Sequence, residues 1–405
     1  MIIQSVQSNT SKLNDNLPSF VKNRIEKYST SVSRGVKNGR PLILGKSPSR
    51  NSLMLQSNDY LSISKNSNII EAQVRSLKKR NRDAVMSAVF LHDDSMQRDF
   101  ESEMAQYVGY EKAILCQSGW AANVGLMQVI ADKDTNIYID FFAHMSLWEG
   151  IKSSGAKAIP FRHNNAESLE KLIQKNGKGI IVVDSVYSTT GDISPLKKIA
   201  NLATRYGCVL VVDESHSLGT HGPKGAGLVA DIGITDQVHF ITASLAKTFA
   251  ARAGIVLCSK SVADWFPYVS FPAIFSSALL PFEIEGLKAT LKVIVESDQR
   301  REKLAYKAKY LRDGLTRQGI KCASESQIVS LEGGREEITE KIRDELELRD
   351  IFGSVFCAPA TPKNRSLVRF SINSEISIYD LNKILIACKD FYGSLNTTPK
   401  LKLVS

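Results

Sequence analysis

CVLVVDESHSLG, residues 208–219, followed by VHFITASLAKTFAARAG, residues 238–254, is the stretch on which the fold turns. Each segment opens on an apolar run that does not alternate with polar residues, which is how a strand reads when helices cover both faces of its sheet. Each run then meets a small-residue turn carrying chemistry: Asp213 and His216 in the first, Ser244 and Lys247 in the second. Working outward, KAILC (112–116), NIYID (136–140), KAIPF (157–161), GIIVVD (179–184) and GIVLC (254–258) repeat the pattern, with helix-length segments between several of them. This predicts an α/β fold whose large domain is a mostly parallel sheet, residues 56–285. After Pro281 a long helical stretch runs to about Gly319, and SQIVSLE, FGSVFC and SLVRFSIN follow as strands of a smaller C-terminal α+β domain, residues 286–405. Residues 1–55, with a helix near Phe20 to Tyr28, read as an N-terminal arm.

The 405 residues are 43% hydrophobic and 23% charged, the composition of an ordinary globular protein. No apolar run approaches the length needed to cross a bilayer and the N-terminus lacks a signal-peptide core, so the expectation is a cytoplasmic protein without stable membrane insertion. The six cysteines stand singly, with no CxxC pair and no histidine at ligand spacing; they read as reduced core thiols, and no metal site is expected. The net charge of +10 is concentrated in residues 1–50, which hold nine Lys/Arg against two Asp/Glu, with a second cluster at Lys78, Lys79, Arg80 and Arg82. Without aromatic interleaving or a binding motif, this basic surface does not point to nucleic acid; it is either plain solvated surface or a rim attracting a polyanion.

In open α/β sheets ligands gather at the carboxyl ends of the strands, where Asp184, Asp213, Ser244 and Lys247 all fall. Asp213 can cap the next turn, ligate a metal or pair with a buried cation. If the ligand is pyridoxal phosphate, an acid here keeps the pyridine nitrogen protonated, and His216 reaches the ring oxygen. A lysine placed as Lys247 is has its ammonium pKa lowered by desolvation, as a covalent cofactor lysine requires, with Ser244 available to the phosphate. In CQSGWAANVGL the backbone N–H groups of Ser118, Gly119 and Trp120 point at an anion from a helix start. His144, just past NIYID, is placed to stack over the ring. Ser188 is placed to reach its oxygen, and Asp184 to fix their neighbours. Arg369 is either a clamp for an amino-acid carboxylate or an ordinary surface arginine on a half-exposed strand.

Together SLAK with Lys247, DESH with Asp213 and His216, the FFAHMSLWEG segment with His144, Ser188 and the QSGW turn resemble the α-oxoamine synthases, which are fold-type I PLP-dependent transferases. The narrower likeness of LQSNDYL, QSGWAANVGL, YIDFFAHMSLWEG, FPAIFSS and FGSVFCAPATPKN is to the α-hydroxyketone autoinducer synthases of the CqsA/LqsA type. The resemblance implies pyridoxal 5'-phosphate as cofactor, an acyl-CoA and a small amino acid as substrates, with Arg369 and Asn58 binding substrate, and a homodimer with interfacial active sites. Ser277, with Ser276 beside it, would then reach the phosphate from the partner subunit. Where the wider family carries a glycine-rich stretch, this chain has MSAVFLHDD (86–94), so a bulkier, apolar wall from Val89, Phe90 and Leu91 is expected. That favours an aliphatic acyl chain over the biotin-pathway reaction, which remains the alternative, with a non-catalytic binding protein of the same fold behind it.

Overall fold

The computed structural model describes residues 17–31, 35, 41–79 and 86–397, so Arg80, Arg82 and much of the basic N-terminal segment lie outside the described residues. All seven apolar runs form strands: β2 (Lys112–Cys116), β3 (Asn136–Asp140), β4 (Lys157–Phe161), β5 (Ile180–Asp184), β6 (Val209–Asp213), β7 (Phe240–Ser244) and β8 (Gly254–Cys258), with β1 (Leu53–Met54) preceding them. They make one seven-stranded sheet in the order β2-β8-β7-β6-β5-β3-β4. The strands from β7 across to β4 are parallel, and β8 runs antiparallel to both its neighbours.

Alternate residues of the strands enter two separate cores, except at the edge strand β4, whose Ile159 and Phe161 enter one core while Ala158 and Pro160 are exposed. Leu210 and Val212, Ile181 and Val183, Ile241 and Leu257 pack on one face with Ile199 and Ala203 of the helix Leu196–Tyr206. Val211, Val182, Ile139 and Val256 pack on the other with Leu126 and Met127 of the helix Gly119–Ile130 and Leu147 and Ile151 of the helix Met145–Ser154. Both faces of the sheet are therefore covered from β2 across to β3, which is why those strands lack a polar side, while β4 leaves one face exposed. Each wholly buried Leu, Ile or Val contributes roughly 1.5–3 kcal/mol of transfer free energy.

The stretch after Pro281 is two helices, Pro281–Val295 and Asp298–Arg317, where the sequence reading had one. The break at Ser297 (φ −95°, ψ 31°) is stabilised by Arg301, whose guanidinium reaches back to the Ile294 carbonyl at 2.7 Å and pairs with Asp298 at 2.5 Å. The Ile294 carbonyl, which also accepts the Ser297 N–H at 3.1 Å, thus gains a side-chain donor where the helix stops. Beyond lie β9 (Ile328–Gly334), β10 (Ile351–Phe352), β11 (Ser354–Phe356) and β12 (Ser366–Ser371), with β11-β12-β9 forming an antiparallel sheet. The N-terminal helix spans Ser19–Ser31. Residues before the large sheet are tied to the C-terminal part: β1 pairs with β10, Lys46 N–H donates to Glu347 at 2.6 Å, and Leu42 and Leu55 are fully buried.

Five of the six cysteines are buried, while Cys322 is only half-buried and so departs from the expectation of core thiols throughout. No helix among the described residues is long and apolar enough to cross a membrane. Phe90, expected to wall the substrate site, is 65% exposed on a short 3₁₀ turn, Ala88–Phe90, and Val89 and Phe90 line neither of the two cavities at the strand ends described below.

Candidate active site

Register brings the acids together. Asp184 and Asp213 end the adjacent strands β5 and β6 and sit opposite each other, with Thr242 of β7 next in line. Around them a small cavity of about 70 Å³ is lined by Gly119, Trp120, Asn123, His144, Ser146, Asp184, Val186, Asp213, Ser215, His216, Ser244 and Lys247. Eight of the residues singled out in the sequence thus meet in one place. Ser188 does not line it; with His144 it lines an adjoining cavity of about 430 Å³.

Asp213 is held by two donors: Asn123 Nδ2 to Oδ2 and the Ser215 N–H to Oδ1, each at 2.8 Å. Asn123 also donates to Ser146 Oγ at 2.8 Å, and Ser146 Oγ lies 2.7 Å from His144 Nδ1, so one buried amide links the strand-end acid to the histidine across the cavity. Burial lowers the pKa of His144, despite Asp213 nearby, which leaves the imidazole neutral. Asp184 is pushed well above the usual carboxylate range by burial and then by Asp213 beside it, and its Oδ1 accepts the His144 N–H at 3.3 Å.

His216 is pushed well below its ordinary pKa by burial, followed by the charges of Lys247 and Arg369, and its Nδ1 lies 2.7 Å from the hydroxyl of the fully buried Tyr60. Gln327 Nε2 donates to the His216 carbonyl at 2.7 Å. Lys247 lies in the turn after β7, where burial and the nearby Arg369 depress its amine, and it has no ion pair among the described residues.

Ser118 is the N-cap of the helix Gly119–Ile130, its Oγ accepting from Ala121 N–H at 3.0 Å, while the N–H groups of Gly119 and Trp120, both of which line the cavity, find no acceptor among the described residues. An added Cβ on Gly119 would lie 2.5 Å from Ser244 Cβ and 2.8 Å from its Cα, so only glycine lets the helix start close on the end of β7. We expect Gly119→Ala to weaken cofactor affinity by about tenfold or more, since backbone must shift at the anion-binding turn; titration of the apoprotein with pyridoxal phosphate measures it, and unchanged affinity would contradict this packing argument.

Arg369 is not a surface residue. It is 4% exposed on β12, stacks over the Phe356 ring at 5.0 Å, and donates to the Ser188 carbonyl (2.7 Å), Asn58 Oδ1 (3.0 Å) and Ser371 Oγ (3.2 Å). Its Nε has no acceptor, and no carboxylate pairs with it among the described residues. A buried cation without an anion is costly, so the site has room in its charge balance for a carboxylate from outside. Asn58 uses its oxygen on Arg369, Tyr60 and Ser371. Ser276 and Ser277 are exposed and outside the cavity of this chain; Ser277 bridges Ser87 and its carbonyl accepts from Gln117.

Sequence reasoning missed Asn123, Ser146, Ser215, Tyr60 and Gln327. Asn123 had a legible signal, one of two polar residues in the mostly apolar helix GWAANVGLMQVI, and the structure buries it. Ser146 and Ser215 stand two residues after His144 and Asp213 and bond them locally, which the motifs around those residues did not single out, whereas Tyr60 and Gln327 act on His216 from far away in sequence. The residues present fit pyridoxal phosphate: free N–H groups at a helix start for an anion, an unpaired buried amine, and a strand-end acid in the same cavity.

Residues 50–384 match the family model described as aminotransferase class I and II. The chain is 52% identical over 377 residues to the CAI-1 autoinducer synthase of Vibrio campbellii (strain ATCC BAA-1116), covering 93% of this chain and 96% of that protein. It is 28% identical to a serine palmitoyltransferase of Caulobacter vibrioides (strain NA1000 / CB15N), over 92% of this chain and 91% of that one. A solved structure described as a variant of SPT with PLP superposes with a TM-score of 0.82 at 24% identity, covering 93% of this chain and 97% of that chain.

Proposed function

Since the chain belongs to the aminotransferase class I and II family, in its α-oxoamine synthase branch, we propose that it joins a medium- or long-chain acyl-CoA to a small amino acid with loss of CO₂, giving the α-aminoketone precursor of an α-hydroxyketone quorum-sensing signal. Its cofactor is pyridoxal 5'-phosphate. The observation that carries the reading is the unpaired amine of Lys247 facing the same cavity as Asp213, with the anion-less guanidinium of Arg369 close enough to depress that amine.

In this reading the N–H groups of Gly119 and Trp120, with Ser244 and with Ser277 from a partner subunit, would hold the phosphate, while Asp213, His216, Ser188 and His144 would hold the ring. The cofactor, when bound, supplies an electron sink that acidifies the α-carbon of the amino acid. Lys247 would hold the cofactor covalently, and its Nζ as a free amine is the base for the α-proton, a role its depressed pKa favours. Arg369, with Asn58 fixing its fork, binds the substrate carboxylate. A carbon–carbon bond forms between the α-carbon and the thioester carbonyl as the carbon–sulfur bond breaks and CoA leaves as its thiol; the original carboxylate then departs as CO₂, and a proton, ultimately from solvent, takes its place on the α-carbon.

The 430 Å³ cavity beside His144 supports the acyl half. Phe141, Phe142, Met145, Trp148, Phe356 and Leu367 line it, an apolar surface suited to an aliphatic chain. Its Arg365 is already paired with Glu332 at 2.6 Å, so this chain's own lining offers no free cation to an acyl group ending in a carboxylate, as the biotin-pathway reaction would need. Decanoyl-CoA with 2-aminobutyrate or S-adenosylmethionine is the substrate pair we favour. The reading includes an arm (1–55), a large domain (56–285) and a small domain (286–405), a homodimer with interfacial sites, and a cytoplasmic location. Incubating purified protein with a panel of acyl-CoAs and both donors, and weighing the products by mass spectrometry, tests it. Aminoketone from decanoyl-CoA is expected; product from pimeloyl-CoA and alanine alone would overturn it.

A further inference from the structure

We propose that His163, bridging Asp140 and Asp192, is a positioning residue that locks together the three loops presenting His144 and Ser188 to the reacting groups. It rests on the site reading above, although His163 itself lines neither cavity.

The geometry starts from Asp140, which ends β3 and is fully buried. Its Oδ1 accepts the Phe142 N–H and its Oδ2 the Asn164 N–H, both at 2.8 Å, so it fixes the start of the loop that reaches His144 two residues later and the loop that follows β4. His163 Nδ1 lies 2.9 Å from Asp140 Oδ1, and Nε2 lies 3.0 Å from Asp192 Oδ2. Asp192 closes the loop after β5: its carbonyl accepts the Tyr187 N–H at 3.0 Å, and Val186 bridges Ile193 across the same turn. Ser188 sits inside that turn. Asn164 Nδ2 adds a bond to the Ile193 carbonyl at 3.1 Å. The imidazole also packs on Phe142, with ring centres 4.5 Å apart, and meets Tyr187 edge-on at 4.4 Å.

A neutral imidazole carries one N–H and cannot donate to two carboxylates, so the bridge is complete only with both nitrogens protonated. The two acids hold it in that state, raising its pKa to about 9. One cation thus joins the loops after β3, β4 and β5, and the same loops carry His144, Ser188 and the Phe141–Phe142 wall of the acyl cavity. His163, Asp140 and Asp192 themselves line neither cavity, so their effect is on where those groups stand.

The test compares His163→Gln, Asp192→Asn and the double variant of the PLP-loaded enzyme by steady-state kinetics, by visible circular dichroism of the bound cofactor and by thermal unfolding. We expect His163→Gln to lower kcat by about 10- to 100-fold, the scale of a small misplacement of reacting groups. The cofactor band should change at the same time, because His144 shifts against the ring. The double variant should be no worse than the more damaged single by more than about threefold, because both act through one clamp. A lowered unfolding temperature with kcat and the cofactor band unchanged would mean a purely structural residue and would overturn the proposal. If His163→Gln does not fold, Asp192→Asn decides by the same two readouts. If the unaltered enzyme turns over no acyl-CoA, the reaction assignment fails, while the cofactor band still decides the clamp.

Discussion

Lys247→Ala will abolish measurable condensation, lowering turnover by at least about 10³-fold, because it removes both the covalent holder of the cofactor and the base for the α-proton, and a positioned base by itself is worth about 10²–10⁴. The expectation comes from the environment of the amine. Burial and Arg369 both disfavour its charged form, and no acid pairs with it among the described residues. The variant should keep its fold, since the Lys247 side chain makes no hydrogen bond among the described residues that holds an element in place, and the residue lies in the turn between β7 and β8 rather than in a core. Thermal unfolding close to that of the unaltered protein, loss of the visible band of the covalently held cofactor and no aminoketone by mass spectrometry make up the expected result. Turnover within a few-fold of normal would remove Lys247 from the chemistry.

Asp213→Asn comes second in size. It keeps the shape and takes away the charge, and we expect turnover to fall by about 10²–10³-fold, the cost commonly seen when one preorganised electrostatic partner is lost from a site. The change also breaks a local balance. Asp213 accepts from Asn123 at Oδ2 and from the Ser215 N–H at Oδ1, so an amide must turn its own N–H₂ toward one of those donors. The strain travels to His144 through Ser146, which shares the same Asn123 amide. Asn123→Ala should therefore reproduce part of the Asp213→Asn loss in kcat, and the pair should be less than additive. Steady-state rates for the three variants measure it. An Asp213→Asn enzyme of normal rate would show that the acid is only a cap on the turn that follows β6.

Local preference explains why so much of the fold was readable. Each of the seven runs from KAILC to GIVLC is short, mostly apolar and separated from the next by turn or helix-length segments, and each became a strand within two residues of its expected bounds, although the edge strand β4 leaves Ala158 and Pro160 exposed. Asp184, Asp213 and Lys247 were visible for the same reason: they stand where an apolar run stops, and a polar group there faces the end of the sheet. By contrast, the break at Ser297 depends on Arg301 turning back to Ile294, a side-chain choice that helix propensity does not carry.

What the chain's order of residues determined by itself is the set of strands, the turns after them and the kinds of reactive group on those turns, because these follow from interactions among neighbours along the chain. The tertiary structure alone decided that Asn123 lies between Asp213 and Ser146, that Arg369 is buried without an anion, and that His163 bridges two acids. Each joins residues many positions apart, and their meeting is set by strand order and by which faces pack, a balance of burial and hydrogen bonding that no short segment contains.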